Sequence, residues 1–398
     1  KTDVWALKEV GETSNWIYIN ETAQGFVSDT GFNIKYTTAQ NVFEVYYNTE
    51  THKIVIKFLR TETSAAPTLQ IRFAAFFTYN NNGVPVLTTQ SDTQNKFYLE
   101  QTISFDISER TELRNPFPIY TYEQLLDMRE GNYYILMNDI TLPEDFTPIQ
   151  TQIGGLDGNN YRIYVNSISL MAQEDQTSLN FGLFASTSSD CLLKNIILYV
   201  NGNIEISTYN YSTVVYGLLV AENHGKITNC AVEGPNLAMI NLNLFGPSSA
   251  TVSNQVGGLV GSNYGDISNS RMEVGISINS IQTTVTGYMA ANLGGLVAIN
   301  QGTGSISSSY VKARIENNSA GSSSAITGGF VAQNHMGGRI FACYIMGDST
   351  DVFQTQTEID SAINKVYSAS GRAGGFVFYN NGTISNSFSN VPIVAVEG

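Results

Sequence analysis

The sequence of 398 residues has few charged side chains and no long apolar run. Charged residues make up 14% of the chain, against roughly 25% in ordinary soluble domains. The Lys and Arg residues form no cluster and the net charge is −14, so the chain lacks the electrostatic footprint of a protein that binds nucleic acid or anionic membranes. Without an apolar run of about 18 residues, no membrane-spanning helix is predicted.

Cysteine and histidine are also scarce, with three of each. The spacing of Cys191, Cys230 and Cys343 fits neither a zinc site nor a disulfide scaffold, so we interpret them as small buried side chains. The histidines are His52, His224 and His335. His224 and His335 both follow a repeat asparagine and are about 14 Å apart if each repeat makes one coil, which is too far to share a metal ion. No Ser-His-Asp triad can be placed in the sequence. We therefore expect neither a metal nor another cofactor.

Asn, Ser, Thr, Gln and Gly supply most of the polarity, a composition typical of β-structure with many turns. The chain begins at Lys1 without a signal peptide, so we expect a mature or excised segment. Four sequons provide candidate N-glycosylation sites in a secreted eukaryotic protein. They lie at Asn20, Asn210, Asn317 and Asn381.

One pattern recurs along the second half of the chain. VGGLVGSNYGDISNS at 256–270 has counterparts at 216–232, 293–311, 327–345 and 373–389. The asparagine that closes the first half of each copy lies at Asn223, Asn263, Asn300, Asn334 and Asn380. A weaker early copy has Thr187 at this position. Repeats of this length without helical periodicity predict a solenoid, in which each repeat makes one turn.

Each copy contains two short strand-like runs separated by Gly or Asn turns, and a third apolar run often follows. The sequence therefore predicts an all-β chain containing a parallel β-helix with three sheets. Alternation within the first run directs Leu259, Gly261 and Asn263 of the 256–270 copy inward. The stacked asparagines are predicted to form a structural ladder by exchanging amide hydrogen bonds between coils.

A column of valines points outward under the same alternation and is a candidate interaction stripe. Its members are Val220, Val260, Val297, Val331 and Val377. The alternative is that the glycine corner bends the strand, or that another segment covers the valines.

The repeat GGLVGxNxGxIxNS resembles the GLUG motif of bacterial and microbial-eukaryote surface proteins, which include adhesins and non-catalytic parts of secreted peptidases. The segment at 119–142 resembles the leader that precedes such repeats, and the segment at 146–165 resembles their first turn. The resemblance covers about 280 residues. It implies an extracellular or cell-surface location and implies no reaction.

The chain divides near the prolines of 115–118. Residues 1–114 contain about seven strand-like runs and predict an immunoglobulin-like β-sandwich. Residues 115–398 form the predicted β-helix, with an amino-terminal cap at about 119–142 that includes a short helix at Thr121–Met128. The last repeat lacks an evident cap, so we expect further protein or a partner to cover it.

The acidic residues do not form a catalytic column. The candidates are Asp157, Asp190, Glu222, Asp266 and Asp348. The glycine pairs are not followed by the Lys-Ser/Thr and the helix that a phosphate loop requires. We therefore expect a non-enzymatic structural or adhesion protein, such as a subunit of a surface layer or filament, that self-associates or binds a protein or glycan partner.

Two other functions remain open. The first is a polysaccharide-active β-helix or an arm of a larger secreted enzyme, which requires charged side chains converging in a groove. The second is a glycan-binding module, for which an aromatic strip on one sheet would be the sign.

Overall fold

The computed structural model describes residues 116–396 except 167, 171–177, 202–203, 208–212, 236–237, 247–251, 283–288, 320–324 and 348–361, and the backbone of eight strands before residue 106. The chain folds as two units, Lys1–Thr111 and Glu112–Gly398. Each unit is described by itself below.

Strands of the first unit pair antiparallel in two sheets. They are β1 (Asp3–Val10), β2 (Ile17–Ile19), β3 (Tyr36–Thr37), β4 (Phe43–Asn48), β5 (Lys53–Phe58), β6 (Thr68–Tyr79), β7 (Pro85–Leu87) and β8 (Phe97–Phe105). One sheet has the order β2-β1-β6-β7, with β8 also paired to β6, and the other has the order β3-β4-β5.

The second unit is a parallel β-solenoid that begins with a cap. The cap comprises β9 (Phe117–Ile119), α1 (Tyr122–Leu126), β10 (Tyr133–Leu136) and β11 (Ile140–Leu142). Thr121 is the N-cap of α1 and accepts a hydrogen bond from the Gln124 backbone at 3.4 Å. Leu125 of α1 is fully buried in the solenoid core, so the helix covers apolar surface at this end.

Strands of the solenoid recur in a fixed order. The first partial coil has β12 (Gly155–Asp157), β13 (Arg162–Val165) and β14 (Ile168–Leu170). The following coils have β15 (Ser178–Phe181), β16 (Phe184–Ser186), β17 (Leu192–Lys194), β18 (Ile197–Val200), β19 (Ile204–Ser207), β20 (Thr213–Gly217), β21 (Val220–Asn223), β22 (Lys226–Thr228), β23 (Ala231–Glu233), β24 (Met239–Gly246), β25 (Val252–Gly257), β26 (Val260–Asn263), β27 (Asp266–Ser268), β28 (Arg271–Met272) and β29 (Gly275–Gln282). The remaining coils have β30 (Met289–Gly294), β31 (Val297–Asn300), β32 (Ser305–Ser307), β33 (Tyr310–Val311), β34 (Ile315–Asn317), β35 (Ile326–Gly328), β36 (Val331–Asn334), β37 (Arg339–Phe341), β38 (Tyr344–Met346), β39 (Val366–Ser368), β40 (Ala373–Gly374), β41 (Val377–Asn380), β42 (Thr383–Ser385), β43 (Phe388–Asn390) and β44 (Ile393–Ala395).

Stacking of the coils creates five parallel sheets, which we number in the order a coil visits them. The first sheet runs from β15 to β40 and the second from β16 to β41; the third runs from β9 to β42, the fourth from β11 to β43 and the fifth from β14 to β44. Equivalent repeat positions pair directly, as Ile267 does with Ile306. The described residues include no helix long and apolar enough to cross a membrane.

The prediction of three sheets is wrong, because each of the two predicted runs breaks in the middle. The first run of the 256–270 copy bends after the glycine pair, giving β25 and β26. A Cβ on Gly257 would overlap the carbonyl oxygen of Val260, so the bend requires glycine. The second run turns at Asn269, whose φ is 50°, giving β27 and β28.

Candidate functional site

The repeated asparagines lie in one buried column along the carboxyl ends of the second-sheet strands. Asn223, Asn263, Asn300 and Asn334 are fully buried, and Asn380 in the last coil is exposed. Each Nδ2 donates to Oδ1 of the next asparagine, at 2.8, 2.8, 2.8 and 2.7 Å in chain order. Every one of these bonds therefore runs from one coil to the next in chain order. We call this column the asparagine ladder.

The early copy supplies the start of the ladder. The hydroxyl of Thr187 donates to Oδ1 of Asn223 at 2.9 Å and accepts from the backbone N–H of His224 at 3.0 Å. In four of the five asparagines, all but Asn334, the second amide hydrogen serves the corner, as when Asn263 Nδ2 donates to the carbonyl oxygen of Gly265 at 3.0 Å. The ladder therefore satisfies turn backbone that the packed coils shield from water.

A second column lines the corner between the third and fourth sheets. It consists of Cys230, Ser270, Ser309, Cys343 and Ser387. Each side chain donates to the carbonyl two residues earlier, as in Ser270 Oγ to Ser268 O at 2.8 Å and the Cys230 thiol to Thr228 O at 3.4 Å. The oxygen of Ser270 also accepts from the backbone of Cys230 at 3.2 Å. This position therefore requires a small side chain that can donate a hydrogen bond, which explains why the repeats have either Cys or Ser there.

All three cysteines are buried and unpaired. Burial raises the pKa of Cys191 to about 12, of Cys230 to about 12 and of Cys343 to about 11. A thiol with such a pKa is protonated at neutral pH and is a poor nucleophile. Within the described part of the chain, no group of three or more His, Cys, Asp or Glu residues is arranged to hold a metal ion.

The valine column is not an outer stripe, which corrects the alternation argument. Val220, Val260, Val297 and Val331 are fully buried, and Val377 is half-buried. The chain bends at the glycine pair, and the four buried valines belong to the hydrophobic core of the solenoid. The alternate position Gly261, which alternation directs inward, instead approaches the first sheet, because a Cβ there would meet Val215 Cγ1 at 2.7 Å. Gln333 of the second sheet also donates to Asn292 of the first at 2.8 Å.

The sequons differ in accessibility. Asn317 is fully buried, so its proposed glycosylation is wrong for the folded chain: its place in the fifth sheet directs the side chain inward. Asn381 is exposed and its Nδ2 donates to the Tyr379 hydroxyl at 2.7 Å. Asn20 and Asn210 lie outside the described residues, as do His52 and Asp348.

The remaining histidines take part in corner contacts. His224 stacks on Tyr264 with ring centroids 4.5 Å apart. His335 lies between Gln301 and Gln333, with each ring nitrogen 3.1 Å from an amide oxygen.

Asp157 anchors the early coils through local contacts. Its carboxylate lies 2.9 Å from Lys194 Nζ and accepts from Asn195 Nδ2 and the Asn159 backbone, both at 2.9 Å. Burial raises the pKa of Asp157, but the hydrogen bonds from Asn195 and Lys194 outweigh it, so the pKa lies below its usual value. This arrangement is that of a structural turn aspartate. The other candidate acids within the described residues are Asp190, Glu222 and Asp266. Among these residues the structure shows no contact between any of the three and Asp157.

Aromatic side chains follow the outer side of the fourth sheet. We call Tyr164, Tyr199, Tyr310, Tyr344 and Phe388 the aromatic strip. Tyr310, Tyr344 and Phe388 stack in succession, with ring centroids 5.0 and 5.2 Å apart and interplanar angles of 2° and 6°. Neighbouring rings therefore cover most of the ring faces on which a sugar would stack. The strip presents ring edges to solvent, and Phe388 is 55% exposed.

Charged residues continue this outer side between the two groups of rings. Arg271 pairs with Glu233, and its Nε lies 3.9 Å from Glu273. The Tyr310 hydroxyl donates to Glu273 at 2.5 Å, and Arg162 lies over the Tyr199 ring at 4.8 Å. Sequence reasoning missed this cluster, because its members come from several coils and do not belong to the repeat motif.

A pocket of about 570 Å³ opens beside this cluster, at the corner between the fourth and fifth sheets. Glu273, Lys312, Arg314 and Met239 contribute to its walls. Charged side chains thus converge in a groove, which is the feature expected of a saccharide-active protein. Glu273 is the only carboxylate among the described lining residues, whereas glycoside hydrolysis ordinarily requires two.

The fold and these columns define a parallel β-solenoid with side-chain ladders. No known protein-family model matches the chain, and no curated protein matches it.

Proposed function

We propose that this chain is a non-enzymatic structural or adhesion protein of the extracellular space or cell surface, built around a rigid GLUG-type solenoid. The asparagine ladder carries this proposal. The asparagine of each repeat hydrogen-bonds to the equivalent asparagine of the next coil. The most regular feature of the sequence therefore serves to stack the coils of the solenoid. In this proposal, residues 1–114 add an immunoglobulin-like sandwich, and the partner is a protein or glycan.

The aromatic strip is the contact face in this proposal. Its rings and the neighbouring Arg271 provide aromatic and guanidinium side chains, which are enriched where proteins bind one another. The stacking fixes the rings in place, so little side-chain entropy remains to be lost when a partner binds.

The first experiment measures surface display and binding together. Antibody against the purified chain is expected to label intact source cells, and the purified chain is expected to bind those cells or their matrix. The double variant Tyr344→Ser, Phe388→Ser should weaken binding at least tenfold. Phe341→Ser is the matched control, because Phe341 is 49% exposed but lies on the third sheet. Label confined to permeabilised cells would contradict the surface location, and equal binding by all variants would remove the strip as the contact face.

The pocket beside Glu273 supports a second candidate function, recognition or cleavage of an acidic polysaccharide. Lys312 and Arg314 would bind the carboxylates of such a polymer, and Glu273 would provide a proton donor or acceptor. Incubating the chain with pectin and alginate and measuring both binding and new reducing ends tests this function. Product formation that Glu273→Gln abolishes would replace the structural proposal with an enzymatic one.

A further inference from the structure

Two pairs of tyrosines in the aromatic strip lie on directly paired positions of neighbouring coils. Tyr164 pairs with Tyr199, and Tyr310 pairs with Tyr344. The rings of Tyr310 and Tyr344 are parallel, with centroids 5.0 Å apart and an interplanar angle of 2°, whereas those of Tyr164 and Tyr199 meet at 69°. All four side chains are half-buried, so each retains contact with solvent.

The register of the fourth sheet isolates the second pair from other phenols in its column. The counterpart of Tyr310 in the preceding coil is Arg271, and that of Tyr344 in the following coil is Phe388. Phe388 stacks on Tyr344 with centroids 5.2 Å apart, but it has no hydroxyl from which a phenoxyl radical could form. An oxidised Tyr310 therefore has one tyrosine ring next to it in this column, that of Tyr344.

Tyr310 also has a proton acceptor in place. Its hydroxyl donates to Glu273 Oε1 at 2.5 Å, and Arg271 Nε lies 3.9 Å from the same oxygen. Burial, together with this hydrogen bond, raises the pKa of Tyr310, so the phenol stays protonated at neutral pH. Removal of an electron from Tyr310 is therefore easiest when its proton passes to Glu273 at the same time.

The first pair has an arginine in the corresponding place. Arg162 hydrogen-bonds to the Tyr164 side chain, and its guanidinium lies 4.8 Å from the centroid of the Tyr199 ring. A guanidinium cannot accept a proton, and its positive charge over a ring disfavours removal of an electron from that ring. Tyr164 and Tyr199 therefore provide a control pair within the same sheet.

We propose that Tyr310 and Tyr344 form a site of oxidative cross-linking, at which a haem peroxidase with hydrogen peroxide joins the two rings as dityrosine and links successive coils covalently. Each phenol gives up one electron and one proton, and the Tyr310 proton passes to Glu273. The two radicals form a bond between one Cε of each ring, and the hydrogens on these carbons move to the phenol oxygens. One hydrogen peroxide takes up both electrons and both protons and leaves as two water molecules.

The fold brings the reacting carbons close enough for this bond. Direct pairing sets the backbones of Tyr310 and Tyr344 about 4.8 Å apart, and the torsion about Cβ–Cγ of a tyrosine is broad. Rotation of both rings about this bond turns one Cε of each toward the other. The proposal concerns a modification of the solenoid and does not depend on the surface function proposed above.

Oxidation of the full chain tests the site. The dilute chain is treated with a haem peroxidase and hydrogen peroxide, digested and examined by mass spectrometry. A peptide pair joined through Tyr310 and Tyr344 is expected, lighter by two hydrogen atoms than the sum of its parts. Tyr344→Phe keeps the stacked ring and should abolish this product.

The rate of cross-linking tests the role of the carboxylate. Glu273→Gln should slow formation of the Tyr310–Tyr344 product at least tenfold, because the proton acceptor is lost. Glu222→Gln is the matched control, since Glu222 lies on the second sheet, and it should leave the rate unchanged. In the unaltered chain, the control pair at 164 and 199 should couple at least tenfold more slowly than the second pair.

Mixing isotopically heavy and light chains before oxidation separates links within a chain from links between chains. A Tyr310–Tyr344 product found only as mixed heavy and light peptides would overturn the proposal. Its absence after other tyrosines of the folded chain have been oxidised would overturn it as well. Equal rates at the two tyrosine pairs, or an unchanged rate in Glu273→Gln, would show that Glu273 does not create a preferred site.

Discussion

Asn300 donates from Nδ2 to Oδ1 of Asn334 at 2.8 Å, across 34 residues of sequence and one coil of the solenoid. The bond is fully buried, and Asn300 also accepts from Asn263 on its other side. An interior asparagine therefore satisfies two neighbours as well as its own corner.

Replacing Asn300 with alanine should lower the free energy of unfolding by about 2–5 kcal/mol, because the Asn263 donor and the Asn334 acceptor both remain buried without partners. Urea unfolding followed by circular dichroism measures the change. Asn381→Ala is the control, since Asn381 is exposed beside the ladder, and it should change stability by no more than about 0.5 kcal/mol. A loss for Asn300→Ala as small as that of the control would show that the ladder adds no stability.

Val297→Ala should cost about 2 kcal/mol of stability, because it removes two buried carbon atoms and leaves a cavity in the hydrophobic core of the solenoid. Val396→Ala is the matched exposed control, with a side chain that is 44% exposed. Equal unfolding midpoints for the two variants would argue that the valine column is an outer surface after all.

The native chain should resist thiol reagents. With pKa values raised by burial to about 12, 12 and 11, about one thiol in a thousand or fewer is ionised at pH 8, and the thiols are also inaccessible. Mass spectrometry after iodoacetamide treatment should show no adduct on the folded chain and three adducts in 8 M urea. Rapid labelling of folded Cys230 or Cys343 would contradict the assignment of a structural column.

Asp157→Asn should destabilise the chain at pH 7 by roughly 1–2 kcal/mol, through loss of the charged contacts with Lys194 and Asn195. The pKa of Asp157 is depressed in the folded state. The stability that Asp157 adds to the fold is therefore complete above the unfolded pKa of about 3.9 and is lost as the pH falls through the folded pKa.

Thermal unfolding from pH 7 down to pH 2.5 measures this dependence. The difference between the chain and Asp157→Asn should shrink below about pH 4. Asp190→Asn, at an exposed position, serves as the control for removing one negative charge and should change stability by no more than about 0.5 kcal/mol at pH 7. A difference that widens as the pH falls would have the wrong sign for a depressed pKa.

The sequence by itself determined the solenoid, the inward asparagines and the burial of the three cysteines. A repeat that stacks on itself places equal residues one above another, so the column of Asn223 and Asn263 follows from sequence alignment alone. The short helix was also predictable, because Thr121 begins an acidic turn followed by apolar residues; α1 extends over Tyr122–Leu126, within the predicted range.

Only the tertiary structure decided which face of the second-sheet strands is buried in the core. Alternation assigns Val297 to the outside of its strand, but the chain bends at Gly294 and Gly295 and Val297 lies in the hydrophobic core, because alternation does not carry across a bend. The convergence of Glu273, Lys312 and Arg314 likewise depends on how successive coils align at a corner outside the repeat motif. The repeat therefore determines the interior of the solenoid, because equivalent positions stack and must satisfy one another's hydrogen bonds. The outer surface depends instead on bends and corners that differ between coils.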